Sequence, residues 1–358
     1  MMKALLYEQI KIYLVELIVN NRDTPEYKLP SEQQLAMKFN ASRVSVRKAL
    51  DLLEEEGVIS RIRGRGTFIK NSLNTASLTT NATQMDCFMF IVPDMSSNLM
   101  KNICNGMLAA CKELHVKLLV LNSANSTQLE RDNIATAMQL NCSGILLMPV
   151  DENKYNDSIL SLSMSNFPTL FIDRRLYGLK FNCVSSDHYK IGYNATRYLL
   201  DRGFEDILFF SLSRTISSVR QRVEGYETAL NDHFNGKFRR YLLNVEDYMD
   251  NVRALYNDIY NYLKSNPQIT GFIVGCGNPA LYLIKALQNL KRNIGKDCDV
   301  VVLDDDYAFL NVLIDYEIPT IVQDGYQIGK TAVKMLYKNI KNNIPTEDKY
   351  IDLLTCCK

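Results

Sequence analysis

A chain of 358 residues is long enough for two or three domains, each with its own core, and excludes a single small module. Hydrophobic residues make up 47% and charged residues 23%, ordinary globular values, and no apolar run approaches the roughly 18 residues a membrane span requires. The formal net charge is +1, but residues 1–70 hold 12 Lys/Arg against 9 Asp/Glu, with Arg43, Arg47, Lys48, Arg61, Arg63, Arg65 and Lys70 gathered where a polyanion would be met.

In chain order, MMKALLYEQIKIYLVELIVNN comes first. Glu8, Lys11 and Glu16 interrupt its apolar run and no small-residue cleavage site follows, so it reads as a helix and the protein as cytoplasmic. Ile10, Tyr13, Leu14, Leu17 and Ile18 recur at the spacing of one buried helical face. In LPSEQQLAMKFNASRVSVRKAL, Ser31 is placed to cap a second helix, with Gln34 completing a capping box and Leu35 and Phe39 pointing inward. Ser42 can cap a third helix with Val46, Ala49, Leu50 and Leu53 as its apolar stripe, and Gly57 supplies a left-handed stop. VISRIRGRGTFIK then reads as a basic β-hairpin turning at Gly64 and Gly66. Three helices and this hairpin make a winged helix-turn-helix over residues 1–70.

NSLNTASLTTNATQ, residues 71–84, is polar and without periodicity, a linker. From residue 85 apolar strands (CFMFIVPD, VKLLVLNS, GILLMPV, TLFIDR, CVSSD, DILFFSL, GFIVGC, DVVVLDD) alternate with helical stretches such as KIGYNATRYLLDRGF and VRQRVEGYETAL. Repeated βα units with continuous apolar strands imply parallel sheets covered on both faces, here in two doubly wound lobes over residues 85–358. The expected fold class is thus α/β, a winged helix-turn-helix followed by a two-lobed effector domain. Nine cysteines and three histidines include no CxxC and no cluster with metal spacing, so the thiols read as buried and reduced, and neither metal nor cofactor is expected.

On the third helix Arg43 and Arg47 are four apart and share the face opposite the apolar stripe, the arrangement a helix in the major groove requires. LPSE, SRVSVRKAL, LEEEG and GRGTFI occur in order, and with them residues 5–70 resemble the DNA-binding domain of the GntR family of bacterial repressors. The resemblance implies operator contacts from Gln33, from Ser42, Arg43, Ser45 and Arg47, and from Arg63, Gly64 and Arg65 of the wing.

FMFIVPDMSSNLMKNICNGM, FIDRRLYGLKFNCVSSDHYKIGYNATRYLLDRGFEDILFFS, RQRVEGY, VVLDDD and IPTIVQDGYQIGKTAVKML resemble effector domains of the LacI type, of periplasmic-binding-protein architecture, over residues 86–340. That resemblance implies a sugar held between two lobes, with Arg222 gripping it, Asp305 opposite and Asp173 a third polar contact. Ser97, Asn98 and Leu99 follow the first strand, where doubly wound sheets place ligands. The carboxylates of Asp173 and Asp305 favour a neutral polyol over an anion.

Together these features suggest a homodimeric repressor of carbohydrate-utilisation genes that reads a palindromic operator and is controlled by a pentose or deoxyhexose such as arabinose or fucose. The same architecture with a purine or sugar phosphate as effector is the alternative. No GxGxxG, P-loop or GxSxG motif supports an enzyme.

Overall fold

The computed structural model describes residues 6–21, 27–70, 85–150, 156–176, 178–211, 216–244, 251–275, 277–303, 316 and 318–356. The expected linker at 71–84 and Asp305 lie outside the described residues.

The head consists of α1 (Leu6–Asn20), α2 (Glu32–Phe39), α3 (Arg43–Glu55), β1 (Ile59–Ile62) and β2 (Gly66–Ile69). Both arms of the capping box are present: Gln34 N donates to Ser31 Oγ at 3.3 Å and Ser31 N to Gln34 Oε1 at 2.8 Å. Ser42 Oγ accepts from Ser45 N at 3.2 Å, fixing the first turn of α3. At the far end Gly57 takes φ +73 while Val58 N bonds back to Leu53 O and Gly57 N to Glu54 O. β1 and β2 pair antiparallel from Ile59↔Ile69 to Ile62↔Gly66, and Leu29 N adds a bond to Thr67 O. The core buries Ile10, Leu14, Ile18, Leu35, Val46, Leu50 and Leu53.

α1 departs from a simple amphipathic helix, because Lys11, Val15 and Val19 are buried too. Lys11 Nζ reaches Glu56 Oε1 at 2.6 Å, with both side chains at most 9% exposed. Another part of α1 abuts Gly178, where an added Cβ would come within 3.2 Å of Ile12 O and 3.6 Å of Glu16 Cγ.

The chain folds as two compact units, one of Met1–Met95, Gly106–Val184 and Gly329–Lys349, the other of Ser96–Asn105, Ser185–Ile328 and Tyr350–Lys358. After the head come β3 (Met85–Val92), α4 (Asn98–Leu114), β4 (Lys117–Asn122), α5 (Thr127–Gln139), β5 (Cys142–Leu147), α6 (Asp157–Met164), β6 (Thr169–Ile172) and β7 (Cys183–Ser186). Then follow α7 (His188–Asp201), β8 (Ile207–Ser211), α8 (Ser217–Phe234), β9 (Tyr241–Asn244), α9 (Val252–Ser265), β10 (Gly271–Val274), α10 (Gly277–Asn289) and β11 (Asp299–Leu303). β12 (Thr320–Gln323), α11 (Gly325–Asn342), β13 (Lys349–Ile351) and β14 (Leu353–Cys356) close the chain.

One six-stranded sheet has the order β13-β7-β6-β5-β3-β4, with β4, β3, β5, β6 and β7 parallel. All of β5 and β6 is buried, as a parallel strand with helices on both faces should be. Its apolar cluster, built on Met89, Ile91, Ile145, Leu147 and Phe171, is continuous with that of the head.

The other sheet has the order β14-β12-β11-β10-β8-β9 and is parallel except for β14, which runs antiparallel to β12. Side chains alternate between its faces with period two. Leu208, Phe210, Phe272, Val274, Val300 and Val302 pack with α9 and α10, whereas Phe209, Ile273 and Val301 pack with α7 and α8. Cys87, Cys104, Cys111, Cys142, Cys183 and Cys298 are buried free thiols, and burial pushes Cys142 and Cys298 up to about 12.

Candidate functional site

The residues expected to meet DNA lie on exposed faces of the head. Gln33, Ser42, Arg43, Arg47, Arg63, Gly64 and Arg65 are exposed and Ser45 half-buried. Ser45 Oγ lies 3.0 Å from Ser42 Oγ, so both hydroxyls also brace the helix start. Arg47 Nε donates to Glu32 Oε2 at 3.1 Å, which ties the recognition helix to α2. Arg43 has no ion pair with a described residue. At the wing, Gly64 takes φ +76, a conformation that favours glycine, and leaves Arg63 and Arg65 exposed on either side.

Two further cations of the basic stretch have partners within the head. Arg61 is held by Asp51 and by Glu54, the latter at 2.7 Å, so it fastens the wing to α3. Lys48 Nζ stands 4.0 Å from the centre of the Tyr7 ring. The sequence alone ranked these cations together with Arg43, because their carboxylate and ring partners are set by folding.

In the second unit, Arg222 is the sixth residue of α8 and only 6% exposed. Its Nη1 donates to Gly275 O at 3.1 Å and its Nε to His188 Nδ1 at 3.4 Å. These bonds fix the guanidinium at the carboxyl end of β10 and beside the start of α7, the end of a parallel sheet where ligands bind. Two glycines make that placement possible: a Cβ on Gly192 would fall 1.8 Å from Arg222 O, and one on Gly225 would fall 2.1 Å from Tyr189 O. α7 and α8 therefore meet backbone to backbone. Neither glycine, nor His188, stood out in the sequence, since a helix crossing leaves no local pattern.

Asn98, first residue of α4, is 6% exposed and its Oδ1 has no hydrogen-bond partner among the described residues. A buried amide oxygen left unpaired is costly unless a bound group donates to it. Ser186 Oγ, at the end of β7, is a second such atom that sequence reasoning missed. Ser97 Oγ accepts from Met100 N at 3.2 Å, so it caps α4, and Leu99 is half-buried with its carbonyl 2.9 Å from a Cβ placed on Gly325.

Asp173 belongs to the first unit, 8% exposed at the end of β6. Its φ is +61, and Arg174 N bonds across it to Ile172 O at 2.6 Å. A non-glycine residue in a tight turn of this kind stores strain, which clusters at functional positions. A shallow groove of about 460 Å³ lined by Arg253, Tyr256, Tyr282, Lys285 and Asn289 contains none of the expected effector residues. Among the described residues no group of His, Cys, Asp or Glu is arranged to hold a metal ion, and no helix is long and apolar enough to cross a membrane.

A capped recognition helix with a basic wing, joined to doubly wound parallel sheets with a buried arginine at a strand end, defines a DNA-binding regulator with a ligand-sensing domain. The chain belongs to the periplasmic binding protein domain family, whose model matches residues 88–344, and its head at residues 6–69 is of the gntR family of bacterial regulatory proteins. It is 24% identical over 359 residues to the arabinose metabolism transcriptional repressor of Geobacillus stearothermophilus, covering 97% of this chain and 94% of that one. The repressor of the same name from Halalkalibacterium halodurans is 23% identical, covering 93% and 88%. The fold is also that of the transcription regulator CcpA of Lactococcus lactis, with TM-score 0.64 at 17% identity over 75% of this chain and 96% of that one. The chain is thus a transcriptional regulator and not an enzyme.

Proposed function

We propose that this regulator is a homodimeric repressor of carbohydrate-utilisation genes, released or recruited by a small neutral monosaccharide. Residues 1–70 serve as the operator-reading head, 71–84 as the linker and 85–358 as the sensor. Gln33, Ser42, Arg43, Ser45, Arg47, Arg63, Gly64 and Arg65 contact a palindromic operator, and Ser97, Asn98, Leu99, Asp173, Arg222 and Asp305 contact the sugar. The observation that carries the sensor assignment is the buried guanidinium of Arg222, held by Gly275 O and His188 at the carboxyl end of a parallel sheet. A planar donor fork fixed in this way suits vicinal hydroxyls. Two relatives named for arabinose metabolism make a pentose the first candidate.

The dimer is supported by β4, an edge strand of its sheet, on which Leu119 and Val120 are 40% and 39% exposed, and by Leu108 of α4 at 52%. An apolar edge left uncovered among the described residues invites pairing, and a second copy satisfies it.

Thermal unfolding against free aldoses, sugar phosphates and nucleobases tests the reading. An effector at a hundred times its Kd adds about 2.7 kcal/mol to the native state, which moves the transition by roughly 5 °C for a domain of this size. The expected result is a shift with one pentose or deoxyhexose that Arg222→Ala abolishes. A response to phosphorylated sugars alone would overturn the neutral-polyol assignment.

A further inference from the structure

We propose that Val44 reads the methyl group of a thymine in the operator, a specificity contact made by the exposed apolar side chain in the first turn of the recognition helix. The inference rests on the reading of α3 as the helix that enters the major groove.

Among the large apolar side chains of the described residues, the two most exposed are Val44 at 78% and Met37 at 67%, and both belong to the helix-turn-helix. Single exposed apolar residues are common on protein surfaces, so position decides what this one does. Val44 is the second residue of α3, directly after Arg43 and within the turn capped by Ser42. Residues at the start of a recognition helix are the ones that reach base edges. The helix itself does not favour valine there, since alanine is the better helix former.

The surroundings of Val44 leave its side chain exposed. Lys48, one turn on, has its ammonium over the ring of Tyr7, and Arg47 is tied through Nε to Glu32. The two polar side chains one turn further along the helix are therefore anchored to α1 and α2. A β-branched side chain in a helix has essentially one χ1 rotamer, so the isopropyl group is a stiff, preformed knob that loses little entropy on contact. The base edges of the major groove present donors, acceptors and one apolar group, the C5-methyl of thymine. That methyl is the complement to an apolar knob at this position, and a donor or acceptor facing Val44 would be desolvated without a partner.

The test uses the full-length protein and a duplex selected by it from a random-sequence library. Each thymine is replaced in turn by deoxyuridine, which removes the methyl and leaves the pairing, and binding is measured at fixed salt for the wild type, Val44→Ala and Arg43→Ala. Val44→Ala removes only exposed atoms and raises helix propensity, so the head stays folded, as circular dichroism would verify. The expected result is one thymine per half-site at which deoxyuridine weakens the wild type about fourfold, the worth of one buried methyl. Val44→Ala binds the thymine duplex weaker by a similar factor and is indifferent to that same replacement. If every thymine replacement acts equally on wild type and Val44→Ala while Arg43→Ala loses binding, the Val44 contact is wrong and the groove assignment stands. If Arg43→Ala binds as well as the wild type, the groove assignment falls and the Val44 contact with it.

Discussion

Lys11 shows how one residue changes meaning between chain and fold. In the sequence it is a charge that breaks an apolar run. In the folded head it is buried, with its ammonium 2.6 Å from Glu56 at the C-cap of α3. A cation near the end of a helix also meets the negative pole of its dipole. Removing one member of a buried ion pair leaves the other charge desolvated, so Lys11→Met alone is expected to cost about 3 kcal/mol. The double variant Lys11→Met/Glu56→Leu should recover much of that loss. Denaturant unfolding of the full chain checks this, and a double variant as unstable as the sum of the single ones would refute the pairing argument.

At the scale of elements, the crossing of α7 and α8 fixes the candidate effector arginine. With 1.8 Å between a Cβ on Gly192 and the carbonyl oxygen of Arg222, neither helix can yield without moving the other. Gly192→Ala is expected to cost more than about 3 kcal/mol, beyond ordinary overpacking, and to remove the sugar response in whatever fraction still folds. Gly203→Ala is the contrast: φ there is +86 with open space around it, so about 1 kcal/mol of backbone strain is all that is expected. Thermal melts with and without sugar separate the two.

The elements that were legible in the sequence carry their signals locally. The capping box of α2, the serine cap of α3, the Gly57 stop and the apolar strands β3, β5, β6, β8, β10 and β11 all fall within short windows. α6, α9, β9, β13 and β14 were not anticipated. β9, β13 and β14 are short, and β14 exists through its pairing with β12, from Thr320↔Cys356 to Gln323↔Leu353, which no local pattern encodes. The same limit applied to the site. Arg222 is legible through a family resemblance, whereas His188, Gly275 and Ser186 beside strand ends require the folded chain.

For the whole molecule, the edge strand β4 bears on assembly. Leu119→Lys places a charge on a half-exposed edge position and should change the stability of the folded chain by no more than about 0.5 kcal/mol. If the proposed dimer pairs through this edge, the variant is monomeric in sedimentation and binds a palindromic duplex far more weakly, with a smaller loss on a half-site. A variant that remains dimeric would move the interface elsewhere. The seat of α1 on Gly178 bears on engineering. The residues proposed to choose an operator lie on α3 and the wing, but Ile12 and Glu16 press on Gly178. A chimera that borrows its head from another regulator thus imports two surfaces at once, one facing DNA and one facing the sensor. Grafting only the outward residues of α2, α3 and the wing, with the native α1 retained, is the exchange that preserves the seat.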